Sequence, residues 1–208
     1  MPVLPPLYLI TDRHQLPTGR QLLDVLEELL GAGVAMLQLR EKDLTAAELL
    51  PLAQQVRELT RSYNCRLLIN DRIDVALAVE ADGVHLGGHS LPPAVARELL
   101  GPKQLVGVST HSLDELTAAA QQGADFATFG PVFHTPSKAA FGEPVGLEML
   151  QQAVSTSKIP VYGLGGITPA NTQSILQTGV QGIALISALI NAETPAKNCQ
   201  KLLEILSN

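Results

Sequence analysis

Eight short, almost wholly apolar runs recur along this chain, each separated from the next by a polar loop and an amphipathic stretch. They are Leu7–Thr11, Ala35–Leu39, Arg66–Asn70, Gly83–Leu86, Leu105–Ser109, Phe126–Gly130, Pro160–Gly165 and Gly182–Ser187. Strands without apolar/polar alternation are buried on both faces, which is the mark of a parallel sheet. The segments between them carry apolar residues at helical spacing, as in Leu22, Leu23, Val25, Leu26, Leu29 and Leu30. Helices are expected over 21–30, from an N-cap at Thr45 to about Tyr63, and over 75–79, 92–100, 113–122, 147–154, 169–177 and 195–206. Eight strand–helix units in 208 residues predict an α/β chain folded as one closed (β/α)8 TIM barrel spanning 1–208. A doubly wound open sheet, which usually has fewer strands, is the alternative.

Composition narrows the function. A net charge of −6 argues against broad nucleic-acid binding, which needs a basic surface, but a few clustered cations can still hold a small anion. Cys65 and Cys199 belong to no Cys-x-x-Cys pair or Cys/His cluster and read as bystander thiols in a reducing compartment. No apolar run is long enough to span a bilayer, and the first residues lack a signal-peptide pattern. A cytoplasmic protein with no membrane partner is expected. A homo-oligomer is compatible with the sequence.

In such a barrel the active site lies at the C-terminal ends of the strands. There the polar residues gather: Gln38, Arg40 and Lys42 after the second run, Asn70-Asp71-Arg72 after the third, Ser109-Thr110-His111 after the fifth, Gly165-Gly166 after the seventh and Ser187 after the eighth. Each group has a structural reading as well. Arg40 and Lys42 could pair with Glu41, Asp43 or Asp71 around the rim, Asn70-Asp71 could cap a helix, and His85 could be a satisfied interior histidine. Ser112 and Glu115 fit a helix start. Glycines and a serine after strands seven and eight suit a phosphate. Arg40, Lys42 and Lys138 around the carboxylate of Asp71 suit a pyrophosphate carried with Mg2+. Two anion sites facing one cavity suggest the joining of two phosphorylated molecules, with pyrophosphate as leaving group.

The phrases "LYLITD", "MLQLREKD", "LLINDRIDVALAVEADGVHLG", "VGVSTHS", "GADFATFGPVFHTPSK", "VYGLGGIT" and "GIALISALI" resemble, over essentially the whole chain, the thiamine-phosphate synthases and their thiazole-tautomerase relatives. The resemblance implies coupling of hydroxymethylpyrimidine pyrophosphate to thiazole phosphate. It implies that Gln38, Leu39, Arg40, Glu41, Lys42, Asn70 and Lys138 contact the pyrimidine pyrophosphate, that Ser109 lies near the pyrimidine, and that Thr135, Pro136, Ser137, Gly166, Ile186 and Ser187 hold the thiazole phosphate. Asp71 would hold Mg2+. One departure stands out: after "HLG" the synthases usually carry a second Mg2+-binding Asp, and here that position is Ser90, a neutral and weaker ligand. In the tautomerase branch a histidine matching His111 is the acid/base candidate, and the "TPSK" segment looks closer to that branch. The intact "QLREK", "NDR" and Lys138 favour the synthase, because a tautomerase has no evident need of a second cationic pocket. A barrel that only binds thiazole or thiamine phosphate, as a regulator, is a third reading.

Overall fold

Strands apolar on both faces need a packing surface on each side, and closing the sheet on itself supplies the inner one. The computed structural model describes residues 3–135 and 143–207. Within them, β1 (Leu7–Ile10), β2 (Met36–Leu39), β3 (Arg66–Asn70), β4 (Gly83–Leu86), β5 (Leu105–Thr110), β6 (Phe126–Phe129), β7 (Val161–Leu164) and β8 (Gly182–Leu185) form a closed, all-parallel barrel in sequence order. Closure places Leu7 opposite Ile183 and Tyr8 opposite Ala184. The (β/α)8 expectation holds.

The helices are α1 (Leu22–Gly31), α2 (Ala46–Ser62), α3 (Ile73–Ala78), α4 (Pro93–Leu100), α5 (Leu113–Gln121), α6 (Gly146–Thr156), α7 (Thr172–Leu176), α8 (Ser187–Ile190) and α9 (Pro195–Leu206). Each turns one stripe toward the barrel. On α1 that stripe is Leu22, Val25, Leu26, Leu29 and Leu30, all buried. Thr45 caps α2 through a reciprocal pair with Glu48, and Ser112 caps α5 by accepting from the Glu115 N–H. Alternate strand residues divide between two cores. Leu7, Leu9, Leu37, Leu67, Ile69 and Val84 pack outward under the helices. Tyr8, Met36, Leu68, Phe126 and Tyr162 fill the barrel. Gly107 makes that filling fit: a Cβ there would lie 2.4 Å from the Phe126 ring and 2.7 Å from His85 Nδ1.

Three details depart from the expectation. A 3-10 turn at Arg13–Gln15 follows β1, and the short α8 follows β8 at once. Helix α7 starts at Thr172 rather than Pro169, because the Asn171 side chain accepts from the Thr168 N–H and donates to the Gly166 carbonyl, closing a loop where a first helical turn was expected. No helix among the described residues is long and apolar enough to cross a membrane.

Candidate active site

The loop after β2 is pinned from β1. Thr11 donates its hydroxyl to Glu41 Oε1 at 2.6 Å and accepts the Arg40 N–H at 2.8 Å. Arg13 reaches Glu41 Oε2 with its backbone N–H and its guanidinium, both at 3.1 Å, and the same guanidinium forks onto Asp43. The Glu41 side chain is only 1% exposed. Glu41 and Asp43, two of the carboxylates that could have paired with the neighbouring cations, are therefore engaged by Arg13. Among the described residues, neither Arg40 nor Lys42 forms an ion pair. Burial lowers the pKa of Arg40. Burial also lowers that of Lys42, Arg40 adds to the effect, and Asp71 partly opposes it. Two cations held under-solvated and close together are stabilised by an incoming anion.

Asp71 sits at the end of β3 with φ of 63°, a left-handed conformation that Asp tolerates better than most residues, and its N–H donates to the His85 carbonyl at 2.9 Å. Lys42, Asn70, Asp71 and Ser90 line one cleft of about 390 Å³. Arg72 also borders this cleft and pairs with Asp74. Ser90 Oγ accepts from the Gly87 N–H at 2.8 Å, so its hydroxyl is built into a turn at the cleft wall. No group of three or more acidic, His or Cys side chains suited to a metal occurs among the described residues. Asp71 is the carboxylate this cleft offers a divalent cation, since Glu41 is engaged by Thr11 and Arg13.

Across the mouth, Gly165, Gly166, Ile186 and Ser187 line a larger cavity of about 820 Å³ together with Thr135 and Gln15. Among the described residues, no backbone hydrogen bond outside helices and strands uses the N–H of Gly166 or Ser187. Gly166 (φ 64°) is glycine for a packing reason too: a Cβ would stand 2.7 Å from the His134 carbonyl oxygen and from Phe133 Cβ. A side chain at Gly166 would strike that segment and disturb the loop whether or not a ligand binds. Gln15, which the sequence did not bring forward, donates to Asp12 at 2.7 Å and accepts the Ser187 hydroxyl at 2.5 Å.

A buried polar chain runs through the barrel interior. Gln38 Nε2 lies 2.9 Å from the Tyr8 hydroxyl, that hydroxyl lies 3.3 Å from His85 Nδ1, and His85 Nε2 lies 3.0 Å from Ser109 Oγ. Burial, reinforced by Arg40, lowers the His85 pKa from 6.5 to about 3, so the ring is neutral at physiological pH. Between those values the unfolded chain binds a proton that the folded chain does not. The histidine's contribution to stability is present in full above pH 6.5 and is lost as the pH falls toward 3. Denaturant unfolding across that window should show wild type losing stability more steeply than His85→Gln. Equal slopes would remove the assignment.

The other expected residues fall as follows. Leu39 is buried in the core under the helices and also borders the cleft of Lys42 and Asp71. Ser109 and His111 border a third cavity of about 430 Å³ that shares Ser90 with the cleft. His111 Nδ1 donates to the Gly130 carbonyl at 2.5 Å, which fixes its tautomer. Pro136, Ser137 and Lys138 lie outside the described residues.

Residues 7–189 match the family described as "Thiamine monophosphate synthase". A Geobacter sulfurreducens protein provisionally named a thiamine-phosphate synthase is 56% identical over 200 residues, covering 96% of this chain and 93% of its own. The thiamine-phosphate synthase of Moorella thermoacetica is 43% identical over 189 residues, covering 91% and 90%. The solved thiamine phosphate pyrophosphorylase of Pyrococcus furiosus superposes with a TM-score of 0.87 at 39% identity, over 97% of this chain and 95% of that one. The chain belongs to the thiamine monophosphate synthase family.

Proposed function

We propose that this barrel is a transferase that couples hydroxymethylpyrimidine pyrophosphate to thiazole phosphate, forming thiamine phosphate and pyrophosphate. The observation that carries the reading is the pair of cations, Arg40 and Lys42, which form no ion pair among the described residues, Lys42 lining a cleft with Asp71, while Gly166 and Ser187 line a separate cavity. One anion site would serve a reaction on a single phosphorylated molecule. Two serve a reaction that joins a pair.

In the reaction the bond between the pyrimidine methylene carbon and the pyrophosphate oxygen breaks, and its electron pair leaves with pyrophosphate. The thiazole nitrogen then gives its lone pair to the methylene carbon. Arg40 and Lys42 hold the leaving group, and their attraction grows as negative charge develops on it. The Gly166 and Ser187 backbone holds the thiazole phosphate, so the nucleophile is fixed in position before the bond breaks. Asp71 suits Mg2+ in a site completed by pyrophosphate oxygens and water, and the ion would neutralise departing charge. Ser90 adds at most one neutral oxygen. Two buried free thiols, Cys65 and Cys199, suit a cytoplasmic setting.

The test is incubation of the purified protein with both substrates and Mg2+, followed by chromatography for thiamine phosphate. Its appearance supports the reading. Aromatisation of a thiazole carboxylate phosphate without metal, and no thiamine phosphate at any Mg2+ concentration, would replace it with the tautomerase reading centred on His111. Ser90→Asp sharpens the metal assignment. An aspartate there can still accept the Gly87 N–H and adds a second carboxylate beside Asp71, so half-maximal coupling should need several-fold less Mg2+. An unchanged Mg2+ titration would place the ion elsewhere.

A further inference from the structure

The pole of the barrel opposite the mouth holds a second pair of cations. Arg66 opens β3 beside Met36 of β2, two residues before Leu68. Met36 and Leu68 both fill the barrel, so the alternation of a strand turns the Arg66 side chain the same way. Its charge reaches Tyr162: burial raises the tyrosine's pKa, and Arg66 opposes that rise. The Tyr162 hydroxyl nevertheless donates elsewhere, to the Pro5 carbonyl at 2.6 Å. Arg66 Nη1 is buried and has no hydrogen-bond partner among the described residues. Arg66 also lines a cavity of about 310 Å³ with Lys103, Gln104, Glu80 and Asp82. Both carboxylates there are engaged by arginines of α2. Asp82 accepts from the Arg57 guanidinium at 2.7 Å and from the Leu67 N–H at 2.8 Å, and Glu80 accepts from the Arg61 guanidinium at 2.6 Å. Among the described residues, neither Arg66 nor Lys103 forms an ion pair.

We propose that Arg66 and Lys103 form a binding site for one compact phosphate group, free or carried on a small molecule, at the N-terminal pole of the barrel and separate from the mouth. A guanidinium nitrogen withdrawn from water without an acceptor is costly, and an arriving oxyanion offsets that cost. The planar fork of Arg66 matches two phosphate oxygens. Lys103, exposed at the rim, adds a mobile point charge, and the half-buried Gln104 side chain carries an amide donor beside them. Glu80 and Asp82 set the limit on size. Their charges are paired but still flank the cations, so a polyanion spread over the rim would meet them, whereas one phosphate seated on Arg66 need not. The volume lies at the small end of ligand cavities, which also suits a compact group. Position separates this site from the chemistry of the mouth. Arg66 opens β3 and Asp82 directly precedes β4, whereas Asn70 and Asp71 stand at the other end of β3.

Inorganic phosphate is the probe, titrated into the full-length protein and followed by nitrogen-15 amide NMR. The amides of Arg66, Asp82, Gln104 and Leu105 should shift saturably. They should shift equally in the double variant Arg40→Met, Lys42→Met, whose mouth has lost its cations. Arg66→Met should weaken the response at these amides by at least about tenfold, the loss of one charge-assisted hydrogen bond. That variant should fold, because it keeps most of the side chain's length and removes a buried group that lacks a partner. If it does not fold, Lys103→Met decides: its exposed side chain has no part in the core, and the response should weaken by about two- to fivefold. No saturable shift at this pole in wild type overturns the proposal. So does an equal shift with chloride at the same ionic strength, or an unchanged response in a folded Arg66→Met or in Lys103→Met. Glycerol phosphate then separates the two sources: binding within about threefold of inorganic phosphate assigns a phosphorylated small molecule, and its exclusion assigns the free ion. No turnover is measured, so the outcome is independent of the synthase assay.

Discussion

Arg40→Met should lower kcat/KM for the pyrimidine pyrophosphate by roughly 10- to 150-fold, the loss of about 1.5–3 kcal/mol expected when one charge-assisted hydrogen bond disappears. The KM for thiazole phosphate should stay within about twofold, because the cavity proposed for that ligand is lined by Gly166 and Ser187 and not by Arg40. Methionine keeps most of the arginine's length and apolar bulk, and the Arg40 backbone N–H still donates to Thr11. The fold should therefore hold. Lys42→Met should behave alike, and the double variant should lose more than either alone. Steady-state kinetics with each substrate varied in turn checks this. If both KM values rise together in either variant, the cations do not serve the pyrophosphate alone.

Glu41, one residue further along, should fail differently. Its carboxylate accepts from Thr11, from the Arg13 N–H and from the Arg13 guanidinium, in a place almost closed to solvent. Glu41→Ala leaves those donors without their acceptor and should cost about 2–4 kcal/mol of stability. Glu41→Gln should fall between, because its carbonyl can still accept while its amide faces donors. Urea unfolding of the three proteins measures the effect. Arg40→Met should unfold near wild type, so the adjacent pair separates a residue that serves a ligand from one that holds the loop in place. A Glu41→Ala protein as stable as wild type would show that the Arg13 contacts are not structural.

This contrast marks the limit of what the sequence conveys. The barrel is legible because eight apolar runs must each be covered on two faces, and that pattern is local. β3 and β4 have the expected bounds, and the others differ by one or two residues at an end. The polar rim is legible too, since the strand ends can be counted. What the string "QLREKD" does not reveal is which of its charges are spent. Glu41 and Asp43 look like partners for Arg40 and Lys42, yet both belong to Arg13, on the neighbouring strand's exit, and only the β1–β2 pairing brings it there. Gln15 escaped notice for the same reason. Its contact with Ser187 exists because the first and last strands are neighbours in a closed barrel. His85 reads from its apolar neighbours as a satisfied interior histidine, but its partners Tyr8 and Ser109 come from two other strands. The expected loop residues Pro136, Ser137 and Lys138 remain proposals from the resemblance.

The account stands most directly on the separation of two anion sites, and a competition titration tests it. Thiazole phosphate would be titrated calorimetrically into the protein alone and into protein saturated with pyrophosphate and Mg2+. Two sites on one mouth predict that thiazole phosphate binds in both cases with affinities within about threefold, and that Arg40→Met weakens pyrophosphate binding by roughly 10- to 150-fold without weakening thiazole phosphate. Loss of thiazole phosphate binding in the presence of pyrophosphate would mean that the two share one site, and would contradict the account.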